Sequence, residues 1–204
     1  MFSVEILRNG GQHWCGGALI HPRVVLTAAH CFEPESLIVG NNKAETTEQG
    51  GVLVAEGCSQ YVEHPGWTGD TADGFDLSLC YLSTAVEIDD ANVMVEVNSG
   101  DDFLADGDML RTIGLGALLY EGTSPEILQW VDVPYIDRDT CNAEDSYDGD
   151  IDDTMICAGF MEGGKDSCQG EFSNPTINNQ LIVRIHKVDL LVHYIHYFCL
   201  LLNR

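Results

Sequence analysis

Short apolar runs, each closed off by Gly, Asn, Asp or Pro, constrain this chain more than any other feature. Val24-Val25-Leu26, Leu53-Val54-Ala55, Leu77-Ser78-Leu79-Cys80-Tyr81-Leu82 and Ile127-Leu128-Gln129-Trp130-Val131 recur with turn-forming clusters between them. Punctuation at this spacing predicts an all-β sandwich or barrel rather than βαβ units. With 204 residues the chain suits one domain of ordinary size or two small ones sharing an interface, and it is long enough to bury a real core. No internal repeat or low-complexity linker divides it.

The charge balance removes whole classes of function. Nine Lys and Arg stand against 33 Asp and Glu, a formal charge of −24. Nucleic acids and anionic lipid headgroups need clustered cations that displace counterions, so neither is an expected partner. Hydrophobic residues make up 45% and charged ones only 21%, so the acidity does not bring the low hydrophobicity of a disordered chain. Eight cysteines, at 15, 31, 58, 80, 141, 157, 168 and 199, without a CxxC zinc pair favour an oxidising, extracellular or secretory compartment. Residues 1–8 show no signal-peptide pattern. The longest apolar stretch, Leu190 to Leu202, is interrupted by His193 and His196 and falls short of the roughly 20 residues of a membrane helix, so no span is expected.

Composition changes abruptly at Gly170. All 21 glycines lie at or before it, and of the 33 acidic residues only Glu171 and Asp189 lie beyond it. The tail holds Arg184, Lys187 and Arg204, lacks alanine, and carries His186, His193 and His196 within an Ile, Leu, Val, Tyr and Phe run without turn residues. It reads as a foreign sequence.

Four stretches carry chemistry. His13-Trp14-Cys15-Gly16-Gly17-Ala18-Leu19-Ile20 followed by Val25-Leu26-Thr27-Ala28-Ala29-His30-Cys31 closely resembles the first catalytic motif of trypsin-like serine proteases, the chymotrypsin family. Phe75-Asp76-Leu77-Ser78-Leu79 resembles the segment with that family's buried aspartate. Leu128 to Pro134, Cys141 and Met155-Ile156-Cys157-Ala158-Gly159 resemble its second barrel, and Gly163-Gly164-Lys165-Asp166-Ser167-Cys168-Gln169-Gly170 the run leading into the nucleophile. The resemblance implies two antiparallel β-barrels with the site between them. The first would span about residues 4–95 and an incomplete second about 105–170, within a peptidase domain of 1–170 followed by the tail 171–204.

A serine hydroxyl attacks a carbonyl only when a neutral imidazole takes its proton, while a buried carboxylate fixes the imidazole's tautomer and stabilises the imidazolium. By resemblance His30 is that base and Asp76 its orienter, roles borrowed from the family's well-known triad. Gly170 matches the glycine whose N–H forms half of the oxyanion hole. Asp166 matches the floor of the primary specificity pocket, where a desolvated carboxylate selects Arg or Lys side chains. The implied partner is a protein or peptide with basic side chains, and no cofactor is implied.

The resemblance then fails at the nucleophile. Where the family continues Asp-Ser-Gly-Gly-Pro, this chain reads Glu171-Phe172-Ser173-Asn174-Pro175, with Phe172 in the serine's place. Losing a triad nucleophile typically removes about 10⁶ in turnover, roughly 8 kcal/mol of barrier lowering. Ser173 is one residue late, and such a shift turns its hydroxyl away. The family's Ile-Val-Gly-Gly start would lie about a dozen residues before Met1, and the strands and closing helix expected after Gly170 are missing from the sequence. The expectation is an endopeptidase family member inactive as written; the alternative is a non-catalytic homologue binding a protein partner through the former substrate cleft. Gly170-Glu171-Phe172 can be encoded GGT-GAG-TTT, which contains the usual intron start GTGAGT, so the expected cause of the break is a retained intron, which explains the lost resemblance, the missing Gly and Ala, the charge change and the orphaned Cys168 together, ahead of natural loss of the serine.

By family pairing Cys15 joins Cys31, Cys141 joins Cys157, and Cys168 is orphaned. Cys58 and Cys80 are either an extra bridge or two buried thiols, and Cys199 is unassigned. Glu45, Glu48 and Glu56 read as a solvated loop rather than a calcium site, and the tail histidines are too irregularly spaced for zinc, so no metal is expected.

Overall fold

The computed structural model describes residues 3–31, 34–40, 52–54, 56–88, 94, 96–97, 104–115, 125–161, 181–185 and 190–194. Seven strands build a first sheet: β1 (Ser3–Arg8), β2 (Gln12–His21), β3 (Val24–Thr27), β4 (Ser36–Val39), β5 (Val52–Val54), β6 (Gln60–Glu63) and β7 (Ser78–Tyr81). Their order is β5-β4-β1-β2-β3-β7-β6, antiparallel throughout. The β1–β2 turn is set by Asn9 and Gly10, both at positive φ, with the Gly11 N–H donating to the Arg8 carbonyl. Asn-Gly tolerates that backbone, whose twist matches the flanking strands. Val4 and Ile6 of β1 pack with Leu19, Val25, Leu37 and Val39 around the Cys15–Cys31 bridge in the first core. Each such side chain, once withdrawn from water, contributes about 1.5–3 kcal/mol.

The second sheet contains β8 (Glu96–Val97), β9 (Met109–Gly114), β10 (Gln129–Ile136), β11 (Cys157–Ala158), β12 (Leu181–Ile185) and β13 (Leu190–Tyr194), in the order β11-β10-β9-β12-β13-β8. All its pairs are antiparallel except β13 with β8. Leu104, Leu110, Val133 and Ala158 form its core. The helix α1 (Arg138–Cys141) starts at Asp137, whose carboxylate accepts from the Thr140 N–H and hydroxyl, and those bonds hold it below the usual carboxylate range.

The tail supplies strands that composition did not lead one to expect. β12 lies along β9 from Leu181 opposite Ile113 to Arg184 opposite Leu110, and β13 completes a hairpin with it. An edge strand offers a row of unpaired N–H and C=O groups, and Leu181-Ile182-Val183-Arg184-Ile185 has the residue types that suit a pleated surface. The edge of β9 that a domain ending at Gly170 would leave open is therefore covered.

Candidate active site

The β3–β7 ladder creates the site. Thr27, the last residue of β3, pairs with Ser78, the first of β7. His30 lies just past one strand, in the 3₁₀ turn Ala29–Cys31, and Asp76 just before the other. Residues far apart in sequence thus leave the same end of one ladder. Thr27 is itself pinned, its hydroxyl donating to the Gly16 carbonyl at 2.9 Å.

The Asp76 side chain is fully buried, whereas that of His30 is 19% exposed. One Asp76 oxygen accepts from the His30 backbone N–H at 2.7 Å and the other meets His30 Nδ1. A carboxylate removed from water is tolerated when such donors satisfy it. An ionised carboxylate only accepts, so Nδ1 carries the ring proton and Nε2 is the ring's basic atom. Nε2 lies 3.8 Å from Cys31 Sγ. The Cys15, His30 and Cys31 ligand atoms also come within 4.8 Å of one another, but both sulfurs are spent in a disulfide and offer no thiolate to a metal.

Two residues that the sequence did not single out brace this pair. The Tyr61 hydroxyl donates to the Ala28 carbonyl at 2.7 Å, immediately before the 3₁₀ turn. Burial pushes the Tyr61 phenol up to about 12; the Asp76 charge adds to this and the Ser78 hydroxyl opposes it. Thr154, from the second half of the chain, accepts the Phe75 N–H at 3.2 Å. Neither lies in a recognisable motif, and only their positions in space reveal them.

Cys15–Cys31 and Cys141–Cys157 are disulfides, and so is Cys58–Cys80, for which the sequence left two possibilities. Asp166, Cys168, Gly170, Phe172, Ser173 and Cys199 lie outside the described residues, as do Glu45, Glu48, His186 and His196. Glu56 accepts from the Ser83 hydroxyl at 3.1 Å. Among the described residues no helix is long and apolar enough to cross a membrane.

Residues 1–185 match the family model described as Trypsin. Serine protease 1 of Rattus norvegicus is 32% identical over 177 residues, covering 86% of this chain and 69% of that protein. Trypsin of Xenopus laevis is 34% identical over 173 residues, covering 84% and 68%. Trypsin of Sus scrofa is 32% identical over 177 residues, covering 86% and 74%.

Proposed function

Because the chain belongs to the trypsin family, we propose that it carries the base and orienter of a serine endopeptidase, His30 and Asp76, but not the nucleophile. The clasp of the buried Asp76 on His30 supports this best. In a chain with serine at position 172, His30 Nε2 would take the hydroxyl proton as attack begins, and Asp76 would stabilise the imidazolium formed. Gly170 would donate to the oxyanion, and Asp166 would pair with Arg or Lys of a protein or peptide substrate. Phe172 has no group to attack with, so peptide hydrolysis stops before its first covalent step. The three disulfides fit an extracellular setting. On the change of composition at Gly170, the peptidase domain is read as residues 1–170 and 171–204 as a tail of other origin, although the family match itself runs to residue 185.

Phe172 also favours a second reading, a non-catalytic homologue that holds a basic protein segment in the cleft. Both readings rest on the missing nucleophile, and one experiment tests that loss. Mixed with an arginine ester and a serine-directed phosphonate, the chain gives no product burst and takes up no label. Stoichiometric labelling at Ser173 would overturn the assignment of Phe172 to the nucleophile's place.

A further inference from the structure

We infer that Thr154 is a positioning residue for Asp76, acting through the backbone of Phe75; this rests on the His30–Asp76 reading above. Asp76 follows two residues in the left-handed region, Gly74 at φ 73° and Phe75 at φ 58°. For a bulky aromatic this conformation is strained and persists only when its surroundings impose it.

The restraint comes from three sides. The Phe75 N–H donates to Thr154 Oγ1 at 3.2 Å, across 79 residues of sequence. The Thr154 hydroxyl gives its own proton to Asp152 Oδ1 at 2.6 Å, and the same carboxylate oxygen accepts the Thr154 N–H at 2.6 Å. With that proton committed, the Thr154 oxygen faces Phe75 as an acceptor. Gly74 permits the approach, because a Cβ there would strike Asp152 and Thr154. On the other side the Phe75 ring stacks on His64, with centroids 4.9 Å apart and planes within 11°, and a Cβ on Gly66 would lie 2.8 Å from it. Beyond the bend, the Leu77 N–H donates to the Phe75 carbonyl at 2.7 Å.

Asp76 leaves this clamp already aimed at His30. Removing the Thr154 acceptor frees Phe75 to return to negative φ, and that rotation swings the next residue's carboxylate off the imidazole. The second half of the chain thereby sets the geometry of a pair carried by the first half.

The test uses the full isotope-labelled chain and two NMR observables: the His30 Nδ1–H resonance and the exchange rate of the Phe75 amide. In the unsubstituted chain the ring proton is visible and the amide protected. Thr154→Val broadens or abolishes the ring-proton signal and speeds Phe75 exchange about tenfold, the scale of one lost hydrogen bond. Thr154→Ser, which keeps the hydroxyl, restores both, and Gly74→Ala reproduces the valine result by wedging the two segments apart. A purely structural Thr154 would lower global stability and leave the ring proton untouched, so an unchanged His30 resonance in Thr154→Val overturns the inference. A Phe75 amide exchanging at the solvent rate in the unsubstituted chain overturns it without any variant. A His30 ring proton missing from the unsubstituted chain, despite a protected Phe75 amide, instead overturns the base and orienter reading and the inference with it.

Discussion

Burial holds the Tyr61 phenol neutral up to about 12, whereas an exposed phenol ionises near 10. The folded state therefore keeps a proton that the unfolded state releases first. This contribution to stability is complete below pH 10 and is lost as pH rises from 10 through 12. Tyr61→Phe should remove that loss, so its urea midpoint should fall less steeply across the window than that of the unsubstituted chain; parallel curves would place Tyr61 outside the coupling. Gly17 shows a steric limit at the same scale. A Cβ there would lie 2.8 Å from Val25 Cγ1 and 3.0 Å from the Leu26 carbonyl oxygen. Because the second obstacle is backbone, Gly17→Ala should destabilise by about 1–3 kcal/mol, measured as a lower urea midpoint with an unchanged slope.

Elements are held to one another by bridges and by cross-strand pairs. Cys58–Cys80 ties the approach to β6 onto β7, the strand that delivers Asp76, and closes a loop with a sequence separation of 22. Constraint of the unfolded chain by a loop of this size is worth about 3 kcal/mol, so Cys58→Ala with Cys80→Ala should lower unfolding stability by that order. A loss under about 1 kcal/mol in denaturant titration would show that the β6–β7 ladder holds the segment unaided. On the second sheet, Arg111 makes a bidentate pair with Asp132, at 2.7 and 2.8 Å, and lies 3.9 Å over the Trp130 ring. The Asp132 partner raises the Arg111 pKa further, so the guanidinium stays charged at any working pH.

At the scale of the whole molecule, the second sheet depends on strands from both sides of Gly170. Truncation after Gly170 removes β12 and β13 and should raise amide exchange through β9, which pairs with β12, while leaving β1 and β4, which pair with each other, unchanged. Equal protection of β9 in both chains would show that the tail pairing contributes nothing. The origin of the tail is a question for the gene. Sequencing the transcript and genomic DNA across codon 170 should reveal a serine-bearing exon downstream of the break. A mature message that encodes Glu171-Phe172-Ser173 with no such exon would instead favour the binding homologue.

Local chemistry determined much of this protein. The punctuated apolar runs dictate strands, and Ala28-Ala29-His30-Cys31 and Phe75-Asp76-Leu77 mark the pair because each motif is contiguous. The proposed loss of the nucleophile likewise rests on sequence alone, on a phenylalanine at 172 where the family's motif would place serine. Tertiary structure decided what depends on register and approach. That His30 meets Asp76 follows from Thr27 pairing with Ser78. That Cys58 joins Cys80 follows from the β6–β7 ladder, which pairs Tyr61 with Cys80. Tyr61 and Thr154 act on neighbours 33 and 79 residues away, so no window of sequence contains both partners. The pairing of β12 with β9 turns on an open strand edge, a property that exists only once the sheet has formed.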